Sequence, residues 1–275
     1  MRRRPLDVKS VLITGTTSGL GRGLLQHYAK HAVKVIAVNR RRVAELEAQY
    51  PSVRFECVDV RSAESVDSLV RALAASGDLP DVFILNAGIN RLDNDEAFDL
   101  PLYREVIDTN LYGALNFIAP LTRVPAAGVE RHIVAISSMV NYAGNPYALG
   151  YYTSKKALTA CFDVWADMYA GTDLVFKQVM LGPVQTAIYT MGAKLPGWMV
   201  RIKNLSSASL DGTVRAISRF AGTRRRKLLY PWRALPAFGA MWLGRRLIPG
   251  FFQGRKTLEG RARRRRPSAD SDPVR

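Results

Sequence analysis

An α/β fold built on a doubly wound parallel sheet is the architecture that this sequence predicts, and three observations predict it. Short runs of β-branched and aliphatic residues alternate with helix-length segments that mix apolar and polar positions, as expected for a parallel sheet covered on both faces. The first run opens directly into a glycine-rich turn and then a helical stretch, which offers backbone N–H groups at a helix N-terminus. A chain of 275 residues, 48% of them apolar, can bury one large core and is short for two domains.

In chain order, the first strand is expected at Ser10–Thr14, a compact buried run. It leads into Thr14-Gly15-Thr16-Thr17-Ser18-Gly19-Leu20-Gly21 and a helix from Arg22 to His31. Glycines there permit a tight turn and let the backbone approach a pyrophosphate. Further strands are expected at Val33–Val38, Val53–Val58, Val82–Asn86, Arg131–Ser137 and Leu174–Leu181, with a seventh around Lys227–Tyr230. Helices fall between them. Right-handed crossovers then gather the carboxyl ends of the strands on one edge, where Gly15, Asp59, Asn86 and Ser138 arrive together.

Tyr151 and Lys155 stand four residues apart in a helical stretch, with Ser138 thirteen residues upstream. One helical turn puts phenol and ammonium on the same face. The positive charge favours phenolate and lowers a tyrosine pKa from about 10 towards neutrality, which suits a general acid/base. Alone, Tyr-x-x-x-Lys is a common pattern of surface helices. A second frame, Tyr152 and Lys156, lies one residue on, and Ser137 precedes Ser138.

Thr14-Gly15-x-x-x-Gly19-x-Gly21, Asn86-Ala87-Gly88, Asn110, Ser137-Ser138 and Tyr151-x-Thr153-Ser154-Lys155 together resemble the short-chain dehydrogenase/reductase family, in its order and spacing, from about Lys9 to about Thr186. The resemblance implies a Rossmann-type catalytic domain and hydride transfer between a nicotinamide and a carbonyl or alcohol carbon. It selects the Tyr151/Lys155 frame, because Thr153-Ser154 precede the lysine and Ala157 follows two residues later. It implies that Tyr151 handles the proton, Ser138 bonds the same oxygen, Lys155 tunes Tyr151 and holds the nicotinamide ribose, and Asn110 holds a relay water. Ser138 as a strand-end cap and Asn110 as a helix kink or core hydrogen bond are the bland alternatives.

For cofactor contacts the resemblance implies Gly15, Thr17, Ser18, Gly19, Leu20 and Gly21 at the pyrophosphate, and Asp59 with Val60 at the adenine. Asp59 could equally cap the helix that starts near Ser62. Asn86, Ala87 and Gly88 support the central turn, and Gly182, Val184 and Thr186 reach the nicotinamide end. Leu181 replaces the usual proline of that loop. At the end of the second strand, where an NAD enzyme usually presents an acid, stand Asn39 and then Arg40, Arg41 and Arg42. NADP(H) is therefore expected, with Arg40 facing the 2′-phosphate and NAD(H) as the second choice. Arg41 and Arg42 are expected merely to open the next helix in solvent.

Charge is unevenly spread. Residues 1–200 hold 21 Lys+Arg against 19 Asp+Glu, whereas residues 201–275 hold 19 against 4, so the C-terminus supplies nearly all of the net +17. The expected organisation is a catalytic domain over 7–222, a basic and apolar extension over 223–260 and a disordered arginine-rich tail over 261–275. Ala234 to Gly244 is an uncharged run of eleven residues, too short for the about 20 that span a bilayer. Flanking arginines and tryptophans suit an anionic membrane surface; a dimer contact or a wall of the substrate pocket competes with that reading. Nucleic acid is not expected as a partner, since an arginine run alone is usually a solvated tail.

Residues Ala187 to Leu210 read as an apolar lid over a hydrophobic carbonyl or alcohol substrate. Cys57 and Cys161 read as small core residues, and the scattered histidines predict no metal site. The N-terminus lacks an apolar secretory signal, so a cytoplasmic protein, peripheral on the cytosolic membrane face, and a homo-oligomer are expected. A non-catalytic dinucleotide-binding scaffold, docked on membrane or nucleic acid through its basic C-terminus, is the competing function. The complete Asn-Ser-Tyr-Lys set favours the enzyme.

Overall fold

The computed structural model describes residues 7–31, 33–91, 98–124, 128–143, 148–185 and 204–247. Seven parallel strands form one sheet in the order β3-β2-β1-β4-β5-β6-β7. They are β1 Ser10–Thr14, β2 Lys34–Asn39, β3 Arg54–Cys57, β4 Val82–Leu85, β5 Arg131–Ser138, β6 Leu174–Leu181 and β7 Lys227–Tyr230. Each lies within one residue of its expected bounds. The order reverses between β1 and β4, and a crevice at such a point is where ligands bind in open α/β sheets.

The helices are α1 Gly19–Lys30, α2 Ala44–Gln49, α3 Ala63–Ala75, α4 Leu100–Ile107, α5 Gly113–Leu121, α6 Val140–Ala143, α7 Leu149–Met168, α8 Leu210–Ala221 and α9 Leu235–Leu247. A π-helical turn, Asp108–Tyr112, joins α4 to α5. The pleat sends alternate strand residues to opposite faces. Leu12 and Phe83 meet Phe117, Phe162 and Phe176 on one face, while Ile13 and Ile84 meet Leu24, Leu25, Ile217 and Phe220 on the other. α1 begins at Gly19, three residues ahead of expectation, because the glycine turn itself winds into the first helical turn.

Lys177 of β6 is fully buried, and its Nζ donates to the carbonyls of Phe220 at 2.6 Å and Ala221 at 3.0 Å. A cation there meets the negative end of α8 and ties it to the sheet. Burial nonetheless pushes the Lys177 pKa down to about 7.

Three expectations are corrected. Cys57 is exposed and Cys161 only partly buried. Cys57 ends β3, an edge strand, and Cys161 sits on the flank of α7, so an apolar neighbourhood in sequence does not bury either. Of the expected lid, Ala187 to residue 203 lies outside the described residues, but its far end is fixed to the body. Ser206, Ser207 and Ala208 are buried, and Ala208 N donates to Pro183 O at 2.9 Å. The third correction, at Arg41, belongs to the site.

Candidate active site

The strand ends open into a cleft of about 670 Å³. Its floor is the turn after β1. Gly15 has φ +73°, a conformation that L side chains rarely adopt, and its N–H donates to Val38 O at 2.8 Å. A Cβ on Gly21 would lie 2.0 Å from Gly15 O, so only glycine lets α1 start this close to the turn. α1 has no acid in its first turn, and Gly15, Thr17, Ser18, Gly19, Leu20 and Gly21 all line the cleft. A helix N-terminus so placed attracts an anion.

At the end of β2, the Asn39 side chain is committed to that turn: its Oδ1 accepts from Thr16 N at 2.8 Å and from Thr16 Oγ1 at 3.1 Å. Arg40 and Arg41 both line the cleft, which corrects the expectation that Arg41 only opens α2. Arg42 does face solvent, paired with Glu47 at 2.7 Å. Ser62, not Asp59, caps α3, its Oγ accepting from Ser65 N at 3.2 Å. Asp59 and Val60 line the cleft, and Arg61 grips the Asp59 carboxylate with Nη2 to Oδ2 at 2.6 Å. Those hydrogen bonds hold the Asp59 carboxyl below the usual carboxylate range. Arg61, which also lines the cleft, carried no motif that marked it in sequence.

Asn86, Ala87 and Gly88 line the centre. Asn86 Nδ2 donates to Thr14 O at 2.9 Å and Gly15 O at 3.1 Å, stitching β4 to the turn as a support. Asn110 lies buried in the π-helical turn. Its Oδ1 accepts from Ile89 N at 2.7 Å, and its Nδ2 donates to Ile89 O at 2.8 Å and Ser154 Oγ at 3.1 Å. The Asn110 side chain thus clasps the central turn to α7, which is the core-hydrogen-bond alternative.

Tyr151 and Lys155 face the cleft from α7. Lys155 is buried, its Nζ donating to Ile136 O at 2.8 Å and lying 5.8 Å from the centroid of the Tyr151 ring. Burial pushes the Lys155 pKa down to about 8. In the other frame Lys156 is exposed. The two serines separate as strand neighbours must. Ser137 Oγ turns into α7, 2.7 Å from Thr159 Oγ1, while Ser138 Oγ donates to Leu181 O at 3.3 Å and accepts from Val140 N at 3.2 Å. Ser138 therefore also serves the strand end, and Ser137, not Ser138, is among the cleft-lining residues.

Asn141, unmarked by any sequence pattern, joins these parts. Its Nδ2 donates to Lys155 O at 3.1 Å, Thr159 Oγ1 at 2.7 Å and Ser137 Oγ at 3.2 Å. Gly182 and Val184 line the remaining wall, and Thr186 lies outside the described residues. The donor set suits an extended dinucleotide: an anion-binding turn in the middle, arginines at one end, and a tyrosine beside a buried lysine at the other.

A family model described as short chain dehydrogenase matches residues 9–193. An uncharacterized oxidoreductase of Myxococcus xanthus is 34% identical over 163 residues, covering 56% of this chain and 63% of that protein. Retinol dehydrogenase 8 of Bos taurus is 28% identical over 65% of this chain and 60% of its own length. The 3-oxoacyl-[acyl-carrier-protein] reductase of Thermotoga maritima is 28% identical over 70% of this chain and 79% of its own. The chain thus spans about six tenths of the first two relatives. A short-chain dehydrogenase from Streptomyces avermitilis shares the fold, with TM-score 0.72 at 20% identity over 94% of this chain and 100% of that one. So does a 3-ketoacyl-(acyl-carrier-protein) reductase from Brucella melitensis, solved with NADH, with TM-score 0.70 at 20% identity over 81% and 96%.

Proposed function

The chain belongs to the short-chain dehydrogenase/reductase family, and on that premise we propose that it is an NADP-dependent oxidoreductase acting on a carbonyl or alcohol carbon of an apolar, lipid-like substrate. One observation carries the reading: Tyr151 and the buried Lys155 share a cleft with an anion-binding turn and a pair of arginines. The nicotinamide, when bound, supplies or accepts the hydride.

The protein's own groups do the rest. Tyr151 gives its phenolic proton to the oxygen that gains charge during reduction and takes it back in oxidation. Lys155, protonated below about pH 8, favours the phenolate that remains and holds ribose hydroxyls. Ser138 turns its hydroxyl to the same oxygen, and Asn110 keeps the central turn and α7 in register. Arg40 and Arg41 take the 2′-phosphate; the engagement of Asn39 by Thr16 supports NADP, since no free acceptor waits there for a ribose diol. Asp59 and Val60 meet the adenine, and Gly182, Val184 and Thr186 the nicotinamide.

Relatives named for retinol and for an oxoacyl chain support an apolar substrate. In the same reading residues 7–222 form the catalytic domain, the protein is a homo-oligomer, and residues 223–260 bring it to an anionic membrane surface at its cytosolic face; the expected tail, 261–275, lies outside the described residues. The test is to follow nicotinamide absorbance with NADPH and NADH over a panel of long-chain and cyclic carbonyls. Turnover of apolar carbonyls, faster with NADPH, is expected; binding of neither dinucleotide would contradict the proposal.

A further inference from the structure

We infer that the outer face of α9, together with Trp232 just before it, is the surface that lies on an anionic lipid bilayer. This rests on the membrane reading above and narrows the contact from a whole segment to one face of one helix.

α9 is apolar on both faces. Inward, Ala234 and Phe238 pack on Met139 and Met180, and Met241 is buried. Outward, Leu235, Trp242, Leu243, Leu247 and the preceding Trp232 are exposed by 37, 41, 49, 68 and 76%. A helix that faces water carries polar residues there. Between Ala234 and Leu247 the only charges are Arg245 and Arg246. A contiguous row of exposed indoles and leucines suits the apolar side of a membrane interface. The Arg246 guanidinium lies 4.3 Å over the Trp242 ring, so it can reach lipid phosphate while its stem stays in apolar company.

Charge selects the partner. From Trp232 to Leu258 there are five basic residues and no acid, which complements anionic lipid. A second copy of the chain in a symmetric dimer would bring the same basic surface against itself. The cluster of Arg224, Arg226 and Lys227 is not the anchor, although it dominates the sequence. Arg224 pairs with Glu130, Arg226 with Asp167 at 2.5 Å and Lys227 with Asp163 at 2.6 Å. That cluster stands at the start of β7 and α9 beyond its end, so the two lie at opposite ends of that strand.

The segment leading into α9 also adjoins Gly182 of the cleft wall. A Cβ on Gly182 would lie 3.0 Å from Ala234 Cβ and 3.3 Å from Pro231 Cδ.

Flotation of the full chain with phosphatidylcholine vesicles, with and without phosphatidylglycerol, tests this. Wild type is expected to float with the anionic vesicles. The double variant Trp242→Glu/Leu243→Glu should lose about tenfold or more in partitioning, and Arg225→Glu should stay within about twofold of wild type. Wild type that floats with neither vesicle overturns both the membrane reading and its assignment to α9. Wild type that floats, with the double variant undiminished, overturns the α9 assignment alone, as does an equal loss in Arg225→Glu. Turnover of a water-soluble carbonyl by the same proteins reports separately on the oxidoreductase reading, and its retention in the double variant shows that the fold survived.

Discussion

Burial alone depresses the Lys155 ammonium, and its one named hydrogen bond runs to Ile136 O. Its charge is therefore lost near pH 8, and with it both the grip on ribose and the bias of Tyr151 towards phenolate. In the proposed mechanism reduction needs Tyr151 and Lys155 protonated together, so kcat/KM for carbonyl reduction should fall as pH rises through about 8. A pH profile with saturating NADPH checks this, and a flat profile up to about pH 9.5 would contradict it. Asn141 makes a second expectation. Removing its donors in Asn141→Ala frees α7 to shift against β5, so kcat should fall about tenfold while cofactor affinity holds within about twofold. Asn141→Asp, similar in size but able only to accept, should fall further; equal activity in both variants would deny the positioning role. At this scale the shared place of Tyr151 and Lys155 on the cleft was legible in sequence because they are neighbours in one helix. Asn141 was not, since its partners Lys155 O and Thr159 come from a different element. Ser138 was singled out by its thirteen-residue step to Tyr151; that the Ser137 hydroxyl turns into α7 while Ser138 Oγ bonds Leu181 O and Val140 N needed the structure.

The proposed NADP preference rests on the turn between β2 and α2. Asn39 is spent on Thr16, Arg42 on Glu47, and Arg40 and Arg41 remain on the cleft wall. Arg40→Asp should weaken NADPH about tenfold or more and strengthen NADH, because a carboxylate repels the 2′-phosphate and accepts from ribose hydroxyls. Titration of both dinucleotides against both proteins reads the change, and wild type that binds NADH more tightly would contradict the account. Strand positions were legible because runs such as Val35 to Val38 are buried from both sides and leave little freedom of placement. The edge strand β3 was harder. None of its residues is fully buried and both its ends are exposed, so Cys57 looked enclosed in sequence and is not. Arg61 gained its place only when Ser62 took over the capping of α3 and left Asp59 to pair.

For the molecule as a whole, two buried lysines set the direction of its alkaline stability. Lys177 is held at about 7 and Lys155 at about 8, both below the unfolded value of about 10.5. Between those folded values and the unfolded one, the unfolded chain binds more protons, so stability should rise with pH, by roughly 1 kcal/mol per unit for each group at most. Thermal melts at about pH 7 and pH 9 check the sign; a lower Tm at the higher pH would contradict it. The overall architecture was readable because the alternation of strands and helices constrains a parallel sheet so tightly. The surface was less readable: the charge of the run Arg224 to Lys227 is plain in sequence, but the ion pairs of Arg224, Arg226 and Lys227 with Glu130, Asp167 and Asp163, which are distant in the chain, are not.

The central claim is that this fold delivers one phenolic proton to a carbonyl oxygen. It is tested most directly by NADPH-dependent reduction in wild type and Tyr151→Phe, with cofactor affinity measured on the same samples. The account predicts that turnover falls about a thousandfold or more while NADPH affinity changes less than about threefold. Full activity in Tyr151→Phe, with loss in Tyr152→Phe instead, would contradict it.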